Sequence, residues 1–159
     1  VSNHHLGTLL GLLGATYEML HYQEAYPKQV VQNAKAFAGA LHATGLTIEG
    51  DPELGFTETH QILLRTARTR GQYVADLLEQ NNIITNPQAF YDDLSFAAAS
   101  GVRMGSQEMT RYGMKGRDFE DLAGVLAEII GAGADKPEGF WRDSIKAFRA
   151  KFVDMQYCF

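Results

Sequence analysis

Helical spacing governs the first 45 residues of this chain before any strand signal appears, and that constrains the fold more than any other feature. Leu6, Leu10, Leu13, Tyr17 and Leu20 recur one helical turn apart, with Gly7, Gly11 and Gly14 along a neighbouring strip. A strip of glycines on a helix predicts flat packing against another element. His21 to Tyr26 breaks the pattern, and Pro27 suits the first turn of a new helix. Val30, Ala34, Phe37 and Leu41 then form a clean apolar stripe, with Gly45 as the expected stop. Any sheet must therefore be built from residues beyond Gly45.

The later segments are short. Leu46-Thr47-Ile48, Thr59 to Thr66, Ile83-Ile84-Thr85 and Ser95 to Met104 read as strands, and Asn86-Pro87 reads as the turn closing the third. A third helix carries Arg70, Val74, Leu77 and Asn81 on one face. A fourth places Phe119, Leu122, Leu126 and Ile129 together, with Asp118, Glu120 and Asp121 near its positive end. After a Gly131 to Pro137 linker, a last helix aligns Trp141, Ile145, Phe148 and Phe152. The order describes an α+β fold: a small, mostly antiparallel sheet covered by helices on one face and preceded by two long N-terminal helices. Its 159 residues suit a single domain, residues 1–45 helical and 46–159 the α+β part.

The net charge of −5 argues against a nucleic-acid binder, which needs a basic face to neutralise phosphates. The apolar stretch Leu6 to Thr16 spans eleven residues, short of the roughly 20 that cross a bilayer. The lone cysteine, Cys158, makes no disulfide framework, so a reducing, cytoplasmic setting is the default. A chain that begins at Val1 looks like a piece of something longer.

Few residues suggest chemistry. His4 and His5 are adjacent, while His21, His42 and His60 lie far apart, so no zinc-type spacing appears and no metal is expected. Walker, dinucleotide and nucleophile-elbow motifs are absent. Asp92-Asp93 reads as solvated loop charge, and Glu18 and Glu24 as surface residues. The exception is Ser100-Gly101-Val102-Arg103-Met104-Gly105, where one arginine stands between two glycines. Glycines permit close approach of a ligand or a second backbone. A guanidinium there offers a planar fork matching a carboxylate. Ser106 reads as a helix N-cap, which places Arg103 at a strand-to-helix junction. Arg103 is thus a candidate anion anchor; an ordinary salt bridge at a strand end is the alternative.

The run from Gly101 to Met114, G-V-R-M-G-S-Q-E-M-T-R-Y-G-M, resembles the carboxy-terminal signature of serine hydroxymethyltransferases. Tyr26 to Leu41, Thr59 to Leu64 and Asn82 to Asn86 resemble that family's upstream segments in the family's own order. The resemblance implies the small C-terminal domain of a fold-type-I pyridoxal-phosphate enzyme, a homodimer of one-carbon and amino-acid metabolism that interconverts glycine and serine. It implies that Arg103 binds the substrate's α-carboxylate. It implies too that the cofactor's lysine lies in an upstream large domain, so that no catalytic residue falls in this chain and the isolated piece is inactive.

The chain departs from the family pattern where a folate pterin is held: Gln88 replaces an asparagine and Tyr91 a proline. Ser106-Gln107 replaces Thr-Pro, and Tyr112 stands at a usual arginine. Asn86 and Gln88 are therefore candidates for a tetrahydrofolate loop or for the acceptor site of a folate-independent relative, a threonine transaldolase or an α-methylserine-type aldolase. His5 and His60 are candidate interface or site-adjacent residues. A non-catalytic assembly module, built on the glycine strip and the aromatic last helix, is the remaining alternative.

Overall fold

The computed structural model describes residues 5–67 and 70–159. Two long helices, α1 (Leu6–Tyr22) and α2 (Ala25–Ala43), lead into β1 (Thr47–Ile48) and β2 (Gln61–Arg65). Next come α3 (Gly71–Glu79), β3 (Asn86–Gln88), β4 (Gly101–Gly105), α4 (Gln107–Arg111), α5 (Gly116–Ala132) and α6 (Arg142–Arg149). The strands form one sheet in the order β1-β2-β4-β3, and every neighbouring pair is antiparallel. The expected α+β class, with a small sheet covered by helices, is what the chain adopts.

Strand alternation builds the core. In β2, Ile62 and Leu64 are buried while Gln61, Leu63 and Arg65 face the other way; in β4, Val102 and Met104 are buried and Arg103 is exposed. Against the buried face pack Phe37 and Leu41 from α2, Val74 and Leu78 from α3, and Phe119, Leu126 and Ile129 from α5. The Phe37 and Phe119 rings meet at 5.4 Å and 49°, in the tilted arrangement aromatic pairs favour. The opposite face of the sheet carries none of these helices.

Several expectations need correction. Ile83-Ile84-Thr85 is no strand. Asn82 takes a left-handed φ of 63° and the Ile83 N–H donates to the Leu78 carbonyl at 3.0 Å, so these residues close α3 instead. The strand begins at Asn86, where the sequence predicts a turn. It is an edge strand, and an edge tolerates Pro87, which has no N–H to give. Ser95 to Met104 is a strand only from Gly101, after a 3-10 turn at Phe96–Ala98.

Among the described residues the glycine strip of α1 packs on nothing: a Cβ at Gly7, Gly11 or Gly14 meets no atom within 4 Å, and the helix buries no residue. Helices α2, α3 and α5 already fill the covered face of the sheet. Only the end of α1 is tied down, by an ion pair from Glu18 to Arg111 and by the Tyr22 hydroxyl donating to the Cys158 carbonyl at 2.9 Å. Glu18, expected at the surface, is thus partnered. Among the described residues, no helix is long and apolar enough to cross a membrane, and no group of three or more His, Cys, Asp or Glu is placed to hold a metal ion.

Candidate functional site

Arg103 occupies the middle of β4 on the open face of the sheet. In register it stands opposite Leu63 on β2 and Asn86 on β3. Directly opposed residues of an antiparallel pair project to the same face, their Cβ atoms about 5 Å apart. Asn86 and Arg103 are therefore side by side, and Gln88, opposite Gly101, is one pair along on that face. Among the described residues the guanidinium of Arg103 has no ion-pair or hydrogen-bond partner.

The two glycines flanking Arg103 have distinct jobs. A Cβ at Gly101 would lie 2.1 Å from Cε2 of Phe90, so the Phe90 ring rests directly on this glycine. A Cβ at Gly105 would lie 2.3 Å from Oε1 of Gln107, so the Gln107 amide covers the second glycine. Arg103 is thus bracketed along its own strand by an aromatic ring on one side and an amide on the other. Sequence reasoning missed both bracketing residues, because each lies outside the strand and reaches it from a neighbouring loop or helix.

The junction behind Arg103 is fixed by a buried polar network. Asn33 on α2 donates from Nδ2 to Thr110 Oγ1 and to the Met114 carbonyl, both at 2.8 Å, and its Oδ1 accepts from Gln29 Nε2 at 2.9 Å. Thr110 Oγ1 donates to the Ser106 carbonyl at 2.7 Å. Ser106 sits at the N-cap of α4, but its side chain caps nothing. Its hydroxyl donates instead to the Val30 carbonyl at 2.9 Å, locking β4–α4 onto α2. The Tyr26 hydroxyl donates to the Gln107 carbonyl at 3.0 Å.

On the other side, the loop after β3 is largely exposed, Asp92 included, but its acids are partnered. Asp93 Oδ2 accepts the backbone N–H groups of Phe90 at 2.8 Å and Ser100 at 2.9 Å. These hydrogen bonds, Phe90's first, hold its carboxyl below the ordinary value. Arg65 donates from Nη1 to both oxygens of Asp92 at 3.1 Å and from Nε to Glu49, and its Cζ lies 4.2 Å over the Phe90 ring.

The remaining candidates do not join this group. His60 immediately precedes β2, where its carbonyl accepts the Ser106 N–H at 3.0 Å. His5 is the exposed residue before α1, and its side chain has no hydrogen bond or ion pair among the described residues. A cleft of about 600 Å³ lies elsewhere, between Tyr22, Tyr112, Lys115, Lys151 and the C-terminal segment.

An exposed arginine on a strand, with a glycine nearby on each side and no partner among the described residues, suits recognition of a carboxylate. The serine hydroxymethyltransferase family model matches residues 3–126. The chain belongs to the serine hydroxymethyltransferase family. A serine hydroxymethyltransferase of Archaeoglobus fulgidus is 40% identical over the whole of this chain, which covers 36% of that protein. One from Pyrobaculum aerophilum is 38% identical over 99% of the chain and 36% of the relative. The chain thus spans little more than a third of the length of the curated relatives it matches. Among solved structures, the L-threonine transaldolase of Pseudomonas fluorescens, in its internal aldimine state, superposes with a TM-score of 0.78 and 28% identity. That match covers 92% of this chain and 33% of the transaldolase. Family membership makes pyridoxal phosphate the cofactor to be accounted for.

Proposed function

We propose that this chain is the substrate-gripping small domain of a pyridoxal-phosphate enzyme that makes or breaks the Cα–Cβ bond of a β-hydroxy amino acid. The observation that carries the reading is Arg103, exposed between two glycines and without an ionic partner among the described residues. Its guanidinium can take an α-carboxylate in two parallel hydrogen bonds, which fixes the substrate's Cα and the direction of the bond to be broken. Phe90 and Gln107 restrict the arginine's swing along the strand, and Asn86 beside it offers an amide to the same ligand. Pyridoxal phosphate supplies an electron sink to such a reaction when bound.

This chain's own residues suit the carboxylate rather than the cofactor. None of the four described strands carries a lysine; Lys35 donates to the Leu54 carbonyl at 2.7 Å, and Lys115 is directed at Gln29 and Tyr157. The cofactor's attachment is therefore assigned to an upstream large domain, in a homodimeric, cytoplasmic enzyme of glycine and serine metabolism. The 159-residue chain alone should have no turnover. In the full-length enzyme Arg103→Ala should raise the amino-acid KM by about a hundredfold, the worth of a charge-assisted pair, with the cofactor's absorbance retained. An unchanged KM refutes the role.

One observation favours an acceptor other than tetrahydrofolate. The Gln88 amide, at the position of the family's pterin-loop asparagine, donates to the Ala89 carbonyl at 2.6 Å, so one of its N–H groups is turned back into its own loop. The likeness to a threonine transaldolase supports the same reading. Product formation from serine with tetrahydrofolate, against threonine with an aldehyde, separates the two: serine turnover that requires tetrahydrofolate rules out the aldehyde reading.

A further inference from the structure

Acidic side chains lie near the open face of the sheet that carries Arg103. Glu49 follows β1, and Asp92 and Asp93 lie in the loop that crosses Gly101. A flexible guanidinium on the same face is drawn to such groups by simple attraction. Yet Arg103 has none of them as a partner. Each acid is engaged otherwise. Asp93 takes the backbone N–H groups of Phe90 and Ser100. Arg65 takes the other two, Glu49 through Nε and both oxygens of Asp92 through Nη1.

The register sets Arg65 and Arg103 at different points along the sheet. Arg65 pairs with Gly101, and Arg103 with Leu63, two residues further along the strands. The Phe90 ring lies on Gly101 with the Arg65 guanidinium stacked 4.2 Å above its centre, a cation–π geometry that holds the arginine in place. The ring and the Arg65 guanidinium thus lie over Gly101, two residues from Arg103 along β4.

We propose that Arg65 is a positioning residue: it acts as the internal counter-ion that keeps Glu49 and Asp92 away from Arg103, leaving that guanidinium free for the substrate's carboxylate. This rests on the reading that Arg103 grips that carboxylate. Neither arginine is replaceable by the other, because Arg65 is partnered within the fold and Arg103 is kept available.

The test is a set of variants in the full-length enzyme, read both as the amino-acid KM and as glycine affinity by calorimetry at low ionic strength. Arg65→Gln keeps a polar stem over Phe90 but releases the two acids. Competition for Arg103 by a partly exposed carboxylate should weaken glycine binding about two- to fivefold, with kcat unchanged and with the loss fading in about 1 M salt. Arg65→Lys, which keeps the charge, should stay within about twofold of the parent. The decisive variant adds Glu49→Gln and Asp92→Asn to Arg65→Gln: with neither released acid left to compete, affinity should return to the parent's. If the triple variant is as weak as Arg65→Gln, or if Arg65→Gln binds like the parent while Arg103→Ala does not, the counter-ion role is wrong and the carboxylate role stands. If Arg103→Ala binds glycine like the parent, the carboxylate role itself fails. Should Arg65→Gln not fold, Arg65→Met with both acids neutralised must bind like the parent for the proposal to survive.

Discussion

Asn33→Ala is the substitution that most directly asks whether the junction behind Arg103 is held as described. The side chain is fully buried and makes three hydrogen bonds, two as donor and one as acceptor. Alanine leaves Gln29, only partly buried, able to turn to water. Thr110 keeps its bond to the Ser106 carbonyl. The Met114 carbonyl loses its buried donor, at a cost of about 1–3 kcal/mol. The emptied space adds roughly 1 kcal/mol. The total is about 3 kcal/mol, or a fall in melting temperature of about 10 °C for a domain of this size. Urea denaturation of the 159-residue chain, followed by circular dichroism, measures it directly. Asn33→Asp supplies the control of sign. A carboxylate there cannot donate and faces the Met114 carbonyl, so its loss should equal or exceed alanine's at neutral pH. That loss should shrink as the pH falls and the acid gains a proton it can donate. A loss below about 1 kcal/mol for alanine, or a pH-independent loss for aspartate, refutes the network.

The same geometry sets three other outcomes. Gly101→Ala places a methyl 2.1 Å from the Phe90 ring and 2.8 Å from the Leu64 carbonyl; it should unseat the ring and destabilise the chain by about 1–3 kcal/mol, and a crystal structure with Phe90 unmoved would contradict it. Asp93 has a folded-state pKa held below 3.8, first by the Phe90 N–H and then by the groups of Ser100. Its contribution is complete above that value and is lost as the pH drops through the lowered one. Melting curves of the parent and Asp93→Asn should therefore differ at about pH 5 and draw together as the pH falls through the lowered value, whereas a constant gap overturns this. Leu9→Ser and Leu13→Ser, on the exposed face of α1, should change the stability of the 159-residue chain by no more than about 0.5 kcal/mol, and a larger loss in urea denaturation means α1 packs on the body.

The elements legible in the sequence are those whose partners are many and apolar. The stripes of α2 and α5 each face a whole sheet, so their periodicity survives any local detail. The errors cluster where one hydrogen bond or one ring decides the backbone. Ile83 and Ile84 have strand propensity, but the left-handed Asn82 turns them into the end of α3, leaving Ile84 85% exposed. Pro87 has the look of a terminator because its place at a sheet edge depends on strand order, which spacing does not encode. For the site, Arg103 stands out through its two glycines, and Asn86 and Gln88 through likeness to a family loop. Phe90, Gln107 and Arg65 are invisible for a common reason: each acts across the sheet or along a strand on a residue it does not adjoin in sequence. Asp92-Asp93 reads as solvent charge because acid pairs in loops usually are, and nothing local announces the arginine on β2.

In the role proposed for Arg103, an arginine that holds a carboxylate faces two opposed demands, and the strand between two glycines suits both. It must point in one direction, or the substrate's Cα is misplaced; it must also stay unpaired, or the substrate has to displace a rival. A long side chain on a loop fails the first demand, and one beside free acids fails the second. On β4, alternation fixes the direction, since Val102 and Met104 are committed to the core on the other face. The flanking glycines remove the side chains that would crowd the guanidinium along the strand, and Phe90 and Gln107 occupy the space left. The nearby carboxylates are bound to Arg65 and to backbone N–H groups. Direction therefore comes from the sheet and vacancy from the loop, so the two can be broken separately: Asn33→Ala should disturb the first, and Arg65→Gln the second.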